Sequence, residues 1–159
     1  MIKQANSKHC FVCGVENHHG LKISFYIESA GKVIAKTTVP DHFQSYPGIV
    51  HGGIITAMLD EVSGRTIMDE ATKTRWMVTA SINVRFRRPV PVETPLTLVG
   101  ILKEDSGRMA KVHGEIRDEN DVLLAESEAL MAAVPESVQE SMDNLPKEWW
   151  QVYPDEEAK

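Results

Sequence analysis

A histidine, two glycines and an aspartate stand at a spacing that could support acyl-transfer chemistry. His51, Gly52 and Gly53 lead into an apolar run that continues to about Met68 with helical periodicity, and Asp60 lies within that run. A helix N-terminus presents backbone N–H groups without intrahelical partners, and glycine lets a bound oxygen approach them. The segment therefore offers donors for a developing negative charge, together with a carboxylate that can act as a base or as a nucleophile.

Asp60 is expected to be functional because its predicted helix is apolar on most sides. The neighbours Leu59 and Val62 argue against an exposed position, and aspartate is rarely buried without a role. Glu61 lies about 100° round the helix and is a weaker candidate, which could pair with Arg65. Small residues share the face of Asp60 and predict close packing there: Gly53, Thr56, Ala57, Ser63 and Gly64.

The pattern Gly48-x-x-His51-Gly52-Gly53, with Asp60 nine residues after the histidine, resembles a known signature. It is similar to that of the hotdog-fold acyl-CoA thioesterases of the phenylacetyl-CoA thioesterase (PaaI-like) type. The segments His42-Phe43-Gln44 and Cys10-x-x-Cys13-Gly14 resemble one branch of that group. The resemblance extends over roughly residues 9–134.

This resemblance implies roles for individual residues. Asp60 would activate water or attack the thioester carbonyl, the Gly52 N–H would bind the carbonyl oxygen, and His51 would assist the thioester or its leaving thiolate. Thr79, in the strand after the helix, would hold the attacking water. By propensity alone, Thr79 is equally well explained as a β-branched strand residue. Ser81 is expected on the same strand face as Thr79.

Substrate-binding positions follow from the same resemblance. Many relatives carry an amide side chain where this chain has Ser45, and the adjacent Gln44 could take that role through a shifted loop. Both therefore remain candidates, together with Gly53. Coenzyme A needs cationic contacts for its phosphates, although arginines on a strand usually form only a solvated face. The candidates for these contacts are Arg85, Arg87, Arg88 and Arg108.

The elements around the central segment predict an α+β fold. Residues 21–28 and 33–39 alternate apolar and polar side chains on either side of a turn, which predicts a β-hairpin. An antiparallel sheet wrapped around one long central helix is the plainest way to bury a helix that is apolar on most sides. The resemblance implies that this is the hotdog fold. Four further strands are predicted over 76–86, 95–104, 108–117 and 122–133.

Length and composition predict a single domain over residues 1–159, with a Cys-x-x-Cys segment at 1–20 and a C-terminal extension at 135–159. The chain is 42% hydrophobic and 25% charged, close to ordinary soluble usage. No apolar run reaches the ~18 residues of a membrane span, and the first residues lack a signal-peptide pattern, so a cytoplasmic protein without membrane contact is expected. The net charge of −6 argues against nucleic-acid binding.

The two cysteines, Cys10 and Cys13, allow two interpretations. With His9, His18 and His19 nearby, they could form a tetrahedral zinc site. Alternatively they are buried thiols in a structured turn, which is favoured because the chain has no second Cys-x-x-Cys. No metal or other cofactor is therefore expected, and a disulfide is not expected in a reducing compartment.

The spacing of Gly52 and Asp60 predicts assembly. Eight residues at a rise of 1.5 Å separate them by about 12 Å along the helix axis. One thioester carbon cannot lie within about 3 Å of both groups, so groups that act together must come from different chains. A two-fold axis that sets two such helices antiparallel would create two composite sites. We expect a homodimer, or a tetramer of two such dimers.

Together these features predict an acyl-CoA thioesterase, which hydrolyses the thioester of an acyl- or aryl-CoA to the free acid and CoA. The alternative is a non-catalytic acyl-CoA or fatty-acyl binding protein of the same fold, which would not need the His51-to-Asp60 set. A hotdog dehydratase is a third option, but that chemistry usually pairs a histidine with a carboxylate at a different spacing. The sequence does not specify the acyl group.

Overall fold

The computed structural model describes residues 1–68 and 75–155, so the last four residues of the predicted C-terminal extension lie outside the described residues. The helices are α1 (Gly52–Arg65) and α2 (Glu136–Asp143). The strands are β1 (Ile2–Lys3), β2 (Asn6–Ser7), β3 (Tyr26–Ser29), β4 (Lys32–Thr38), β5 (Met77–Phe86), β6 (Pro95–Asp105), β7 (Met109–Asp118), β8 (Leu123–Ala133) and β9 (Trp150–Gln151).

Seven strands form one antiparallel sheet in the order β1-β3-β4-β6-β7-β8-β5, and β2 pairs separately with β9. The helix α1 packs on this sheet against β4, β5, β6, β7 and β8. This confirms the predicted α+β fold, in which an antiparallel sheet wraps one long helix. Strand β5, which follows α1 in the chain, lies at the edge of the sheet.

The core lies between α1 and the sheet. Met58, Leu59 and Val62 of the helix are completely buried, as are Leu98 of β6 and Ile116 of β7. Each such side chain contributes about 1.5–3 kcal/mol of hydrophobic stabilisation when it is fully removed from water. The helix is therefore held by burial on the sheet side, as its apolar pattern predicts.

Two glycines let α1 approach the sheet closely. Gly100 of β6 and Gly114 of β7 are cross-strand partners. A Cβ atom on Gly100 would stand 2.5 Å from Thr66 Cγ2 and 2.7 Å from the carbonyl oxygen of Val62, and one on Gly114 would stand 3.3 Å from Leu59 Cδ2. A side chain at Gly100 would therefore push the helix off the sheet.

A buried arginine ties both ends of the chain to α1. The guanidinium of Arg65 lies 4.8 Å from the ring centre of Phe25 and 4.7 Å from that of Trp150. It donates hydrogen bonds to the carbonyl oxygen of Ala5 and, through Nε at 2.9 Å, to Oε1 of Glu61. The predicted Glu61–Arg65 pair is confirmed, and it is part of a larger anchor.

Two predicted boundaries differ from the structure. The α-helix ends at Arg65 rather than Met68, because the chain tightens into turns in which each N–H bonds to the carbonyl three residues earlier, as Met68 does to Arg65. The predicted first hairpin strand is wrong over residues 21–25. There Lys22 has a φ of 54°, and the N–H groups of Leu21 and Ile23 bond instead to carbonyls of the N-terminal segment.

Candidate active site

The N-terminus of α1 presents one free backbone donor. His51 is the N-cap, and its Nδ1 accepts a hydrogen bond from the N–H of Gly53 at 2.9 Å. Within the part of the chain that the structure describes, the N–H of Gly52 has no hydrogen-bond partner. Because Nδ1 accepts, a neutral His51 ring carries its proton on Nε2, on an exposed side chain. The donor that the sequence predicts at Gly52 is therefore available, whereas the N–H of Gly53 is already used by the cap.

Asp60 and Thr79 meet where α1 crosses β5. Thr79 Oγ1 donates a hydrogen bond to Asp60 Oδ1 at 2.6 Å, and both side chains are half-buried. The hydroxyl proton is committed to the carboxylate, since the other neighbour of this oxygen is the weakly accepting sulfur of Met131 at 3.5 Å. The lone pairs of Thr79 Oγ1 remain able to accept a hydrogen bond from water. Of the predicted catalytic residues, these two form the direct contact.

A β-bulge separates Ser81 from Thr79. Thr79 pairs with Met131 of β8 and Ser81 pairs with Leu130, so Ala80 is an extra residue in β5. The half-buried positions are Met77 and Thr79 before the bulge and Ile82 and Val84 after it, while Ser81 is exposed. The expectation that Ser81 shares a face with Thr79 is therefore wrong, because one inserted residue reverses the alternation.

A cavity of about 400 Å³ opens beside Asp60 and Thr79. Methionine is flexible and polarisable, so a wall that contains Met68, Met77 and Met131 can adapt to different apolar groups. The sequence reasoning missed Met77, although its position two residues before Thr79 places it on the same strand face. The cavity is lined by Asp60, Glu61, Gly64, Arg65, Met68, Met77, Val78, Thr79 and Met131.

A larger cleft of about 540 Å³ is lined by residues that include Lys36 of β4, Thr97 of β6 and Arg117 of β7. It contains none of the residues predicted to act in catalysis or in substrate binding. Size alone does not identify a reactive site, and the smaller cavity contains the Asp60–Thr79 pair.

Gln44 and Ser45 lie on the exposed loop that leads into α1. The side-chain oxygen of Gln44 accepts a hydrogen bond from the N–H of Gly48 at 2.9 Å. The hydroxyl of Ser45 lies 3.5 Å from the carbonyl oxygen of Ile49. The N–H of His51 bonds to the carbonyl oxygen of the residue before Gln44, which joins this loop to the helix start. Both candidates therefore stand next to His51, and the choice between them stays open.

Three of the predicted arginines stand at the α1 N-terminal end of β5. They are close to Gly52, because a Cβ atom on that glycine would lie 3.5 Å from Phe86 Cζ. Arg87 is held by Glu126 of β8, to which its Nε donates at 3.0 Å. In the described residues, Arg85 and Arg88 are exposed and have no carboxylate within salt-bridge distance.

Arg108 stands at the opposite end of the sheet. Its carbonyl oxygen accepts from the N–H of Ala133, which pairs with Met77 at the start of β5. The structure of one chain therefore places Arg108 near the Asp60–Thr79 end of the sheet and the other three arginines near Gly52.

The two halves of the predicted site are also separated within one chain. Gly52 and Asp60 lie on one continuous α-helix, about 12 Å apart along its axis. On the sheet, Thr79 lies near the start of β5 and Phe86 at its end, roughly 20 Å apart at about 3.3 Å per residue when the bulged Ala80 is not counted.

The cysteines lie close together, as a zinc site requires, and are also largely buried, as expected for thiols in a structured turn. Cys13 is completely buried and Cys10 is half-buried. His18 and His19 are exposed, and in the described residues neither belongs to a cluster of possible metal ligands with the thiols. The thiol of Cys13 donates to Cys10, and this hydrogen bond lowers the pKa of Cys10 to about 7 while raising that of Cys13. Cys10 Sγ lies 3.7 Å from Oε2 of Glu61, an acceptor that the sequence reasoning did not connect with the thiols.

Residues 47–125 match the family model of the thioesterase superfamily. This segment, 79 of the 159 residues, is similar to a thioesterase superfamily domain. It contains the His51–Asp60 segment, the Thr79 strand and most of the sheet that supports them. The resemblance predicted from the sequence is therefore confirmed at the level of the superfamily.

Three individual proteins show how far this similarity extends. The thioesterase superfamily protein RHA08564 has a similar crystal structure, with 32% identity and a TM-score of 0.70 over 79% of this chain and 63% of that one. The structure of smu.793 from Streptococcus mutans, bound to acetyl CoA, gives 20% identity and a TM-score of 0.62 over 70% and 88% of the two chains. Acyl-coenzyme A thioesterase THEM4 of Rattus norvegicus is 25% identical over 63% of this chain and 42% of its own length.

The chain thus spans less than half the length of that curated relative. In the described residues, no helix combines the length and the hydropathy that crossing a bilayer requires.

Proposed function

We propose that the thioesterase domain hydrolyses an acyl-CoA thioester and that Asp60 is its catalytic carboxylate. The observation that carries this proposal is the 2.6 Å hydrogen bond from Thr79 to Asp60, at the wall of a cavity that can accept an acyl group. A structural aspartate would not need an adjacent cavity. The similarity to an acyl-coenzyme A thioesterase and to a structure bound to acetyl CoA supports CoA esters as the substrate class.

The chemistry follows from the hydrogen-bond roles. Because its hydroxyl proton is donated in a hydrogen bond to Asp60 Oδ1, Thr79 Oγ1 can accept a hydrogen bond from the attacking water. A second hydrogen of that water reaches Asp60 Oδ2, which acts as the general base, or the carboxylate attacks the carbonyl carbon itself. The Gly52 N–H donates to the oxygen that becomes negative, and His51 Nε2 donates to the leaving thiolate. With water as the nucleophile, a C–O bond forms as the thioester C–S bond breaks, and the proton that Asp60 takes from the water passes to the thiolate, so the acid and the CoA thiol are released. With Asp60 as the nucleophile, the thiolate leaves first, and water then hydrolyses the mixed anhydride, which releases the acid, protonates the thiolate and restores the carboxylate.

Two chains would supply these groups. Strand β5 is a sheet edge of ten residues, on which Val78 is 52% and Phe86 is 56% exposed. Antiparallel pairing of two β5 strands about a two-fold axis between Ile82 and Asn83 would set Thr79 of each chain opposite Phe86 of the other. Phe86 lies next to Gly52 of its own chain. This pairing would therefore place the Asp60–Thr79 pair of each chain beside the Gly52 N–H of the other, which gives two composite sites per dimer.

The same pairing explains the two groups of arginines. Arg85 and Arg88, which stand near Gly52, would meet the Asp60 end of the second chain, where Arg108 stands. The guanidinium groups of Arg88 and Arg108 would then flank one composite site and could bind the phosphates of coenzyme A. Arg85 is less well placed, because it alternates with Phe86 and so faces the other side of the sheet. Arg87 is less available, because Glu126 holds it. We also propose that the protein acts in the cytoplasm, as a homodimer or a dimer of such dimers.

Hydrolysis of a panel of aryl-, short-chain and long-chain acyl-CoAs tests the proposal. Released CoA is measured as free thiol, with a correction for the two cysteines of the chain. Asp60→Asn should lower turnover on the best substrate by about 10² or more. The matched control is Asp121→Asn, at a side chain that is 87% exposed and at a φ of 62° that asparagine tolerates.

The control variant should keep wild-type turnover. Full activity of Asp60→Asn on every ester would refute the catalytic assignment. Binding of acyl-CoA, seen as a thermal shift without release of thiol by the wild-type protein, would instead favour the non-catalytic binding protein.

A further inference from the structure

A cluster of three possible metal ligands lies beside the proposed catalytic cavity. Cys10 Sγ, Cys13 Sγ and one carboxylate oxygen of Glu61 all lie within 4.8 Å of one another. The cysteines come from the N-terminal segment, whereas Glu61 lies on α1 next to Asp60 and lines the same cavity. In the described residues, the cluster holds no histidine and no fourth ligand of these types. This donor set differs from the cysteine–histidine set that the sequence alone suggested.

The cysteine loop is folded so that both sulfurs point toward one place. The N–H of Val12 donates to Cys10 Sγ at 3.4 Å, and the N–H of Gly14 donates to the Cys10 carbonyl oxygen at 2.9 Å. A Cβ atom on Gly14 would stand 2.2 Å from that carbonyl oxygen, so the turn requires glycine at this position. The Val12 N–H, which is aimed at the Cys10 sulfur, favours the thiolate form, which is the form that binds metals.

The carboxylate of Glu61 is oriented by the buried side chain of Arg65. Its Oε1 accepts from Arg65 Nε at 2.9 Å, which leaves Oε2 facing Cys10. A ligand whose second atom is fixed by a hydrogen bond in this way is typical of metal sites, where such contacts hold the ligand in place. Arg65 is itself completely buried and sandwiched between Phe25 and Trp150, so the orientation of Glu61 is rigid.

The separations suit a tetrahedral ion. With a Zn–S distance of about 2.3 Å and a Zn–O distance of about 2.1 Å, tetrahedral angles place a sulfur about 3.6 Å from an oxygen and two sulfurs about 3.8 Å apart. The distance from Cys10 Sγ to Glu61 Oε2 is 3.7 Å. The remaining two edges of the triangle are at most 4.8 Å, which side-chain rotation of one cysteine can shorten.

We propose that Cys10, Cys13 and Glu61 bind one thiophilic divalent cation of the zinc class, with water as the fourth ligand. Two thiolates select zinc-like ions over calcium or magnesium, which prefer oxygen ligands. The ion links the N-terminal segment to α1 at Glu61, the residue next to Asp60. It therefore stabilises one wall of the proposed catalytic cavity. This site does not depend on the proposed thioesterase reaction.

Metal stoichiometry is the primary test. The full chain is reduced with a phosphine, stripped with a chelator, incubated with one equivalent of zinc and desalted, and zinc is then measured against protein. We expect about one zinc per wild-type chain and less than a tenth of an equivalent for Cys10→Ser and Cys13→Ser. A hundredfold excess of free zinc over its Kd should raise the melting temperature of the wild type by about 5 °C or more.

The matched control removes the exposed histidines. The double variant His18→Gln and His19→Gln should keep one zinc per chain, because neither residue belongs to the cluster. Glu61→Gln should weaken zinc binding by about tenfold or more. Cobalt in place of zinc should give thiolate-to-cobalt charge-transfer absorption in the wild-type protein, a signature that requires no variant to fold.

Three results would overturn zinc binding by the two cysteines. These are less than a tenth of an equivalent of zinc on the wild type, full stoichiometry in a cysteine variant whose circular dichroism is native, and bound cobalt without thiolate absorption. Unchanged zinc affinity in Glu61→Gln would remove the carboxylate from the ligand set and refute the three-ligand site.

Discussion

Mixing two inactive variants should restore activity if, as proposed, each site takes its two halves from different chains. Asp60→Asn replaces the carboxylate by an amide of similar shape that cannot act as a base or as a nucleophile. Gly52→Pro removes the N–H that would bind the oxyanion. Proline is favoured at the first position of a helix, and the ψ of 136° at His51 suits a residue that precedes proline. Both variants are therefore expected to fold.

The expected recovery can be calculated. Each parent homodimer should keep about 1% or less of wild-type turnover, because the loss of one such group costs on the order of 10². Random pairing of equal amounts makes about half of the dimers mixed. In a mixed dimer one site carries both lesions and the other carries neither, so the mixture should reach about a quarter of wild-type activity. This is roughly 25 times the activity of either parent.

The assay unfolds the two variants together, refolds them, and measures thiol release from the best acyl-CoA. Tags of different mass let native mass spectrometry count the mixed dimers. The control Gly52→Ala keeps the N–H, and its Cβ atom would make only an ordinary 3.5 Å contact with Phe86, so it should stay active. If half of the dimers are mixed and activity stays at the parental level, Gly52 and Asp60 act within one chain, and the composite-site reasoning fails.

Three further predictions concern single residues. Thr79→Val should lower turnover about 10- to 100-fold, since a hydrogen bond to a charged group is worth about 1.5–3 kcal/mol. Thr79→Ser keeps the hydroxyl and should keep most of the turnover. Steady-state kinetics on both variants checks this. Arg65→Ala should destabilise the fold by about 3–5 kcal/mol in urea unfolding, because it removes a completely buried side chain packed between Phe25 and Trp150 and leaves the half-buried carboxylate of Glu61 without its partner. The control Lys103→Ala, at an exposed site, should cost less than about 0.5 kcal/mol. The hydrogen bond from Arg117 lowers the pKa of Glu115, so this carboxylate stabilises the fold above its unfolded pKa of about 4.3 and loses that contribution as the pH falls through the lower folded value. Glu115→Gln should therefore cost up to about 1 kcal/mol at pH 7, and urea titrations at successively lower pH should show this difference disappearing.

The regular elements were predictable because periodicity reports which side of an element is buried. The apolar rows of α1 and the alternation in β5 to β8 place these elements within a few residues of their observed bounds. The pairing of Asp60 with Thr79 was also accessible, since the resemblance to thioesterases places a hydroxyl at this point and the structure shows the 2.6 Å contact.

Other features depend on contacts that a local pattern does not contain. The bulge at Ala80 turns Ser81 away from the cavity, and alanine in a strand gives no signal of an inserted residue. Arg65 is buried because Phe25 and Trp150, which are far away in the sequence, enclose its guanidinium. The approach of Glu61 to the thiols likewise requires the N-terminal segment to fold back onto α1. These are tertiary effects, and a pattern along the chain cannot reveal them.

Under the proposed function, pairing of the edge strand β5 would serve both the solubility of the protein and the assembly of its active site. An unpaired edge of ten residues with exposed Val78 and Phe86 is a template for aggregation, and pairing with a second β5 would remove that liability. The same pairing would bring the Gly52 N–H of one chain to Asp60 of the other. A charge placed at the centre of this edge, such as Asn83→Lys, would therefore weaken the dimer and the active site together, although Asn83 touches neither catalytic group. If Gly52 and Asp60 act on one carbon, as proposed, helix geometry requires this coupling, since about 12 Å of α-helix lie between the two groups.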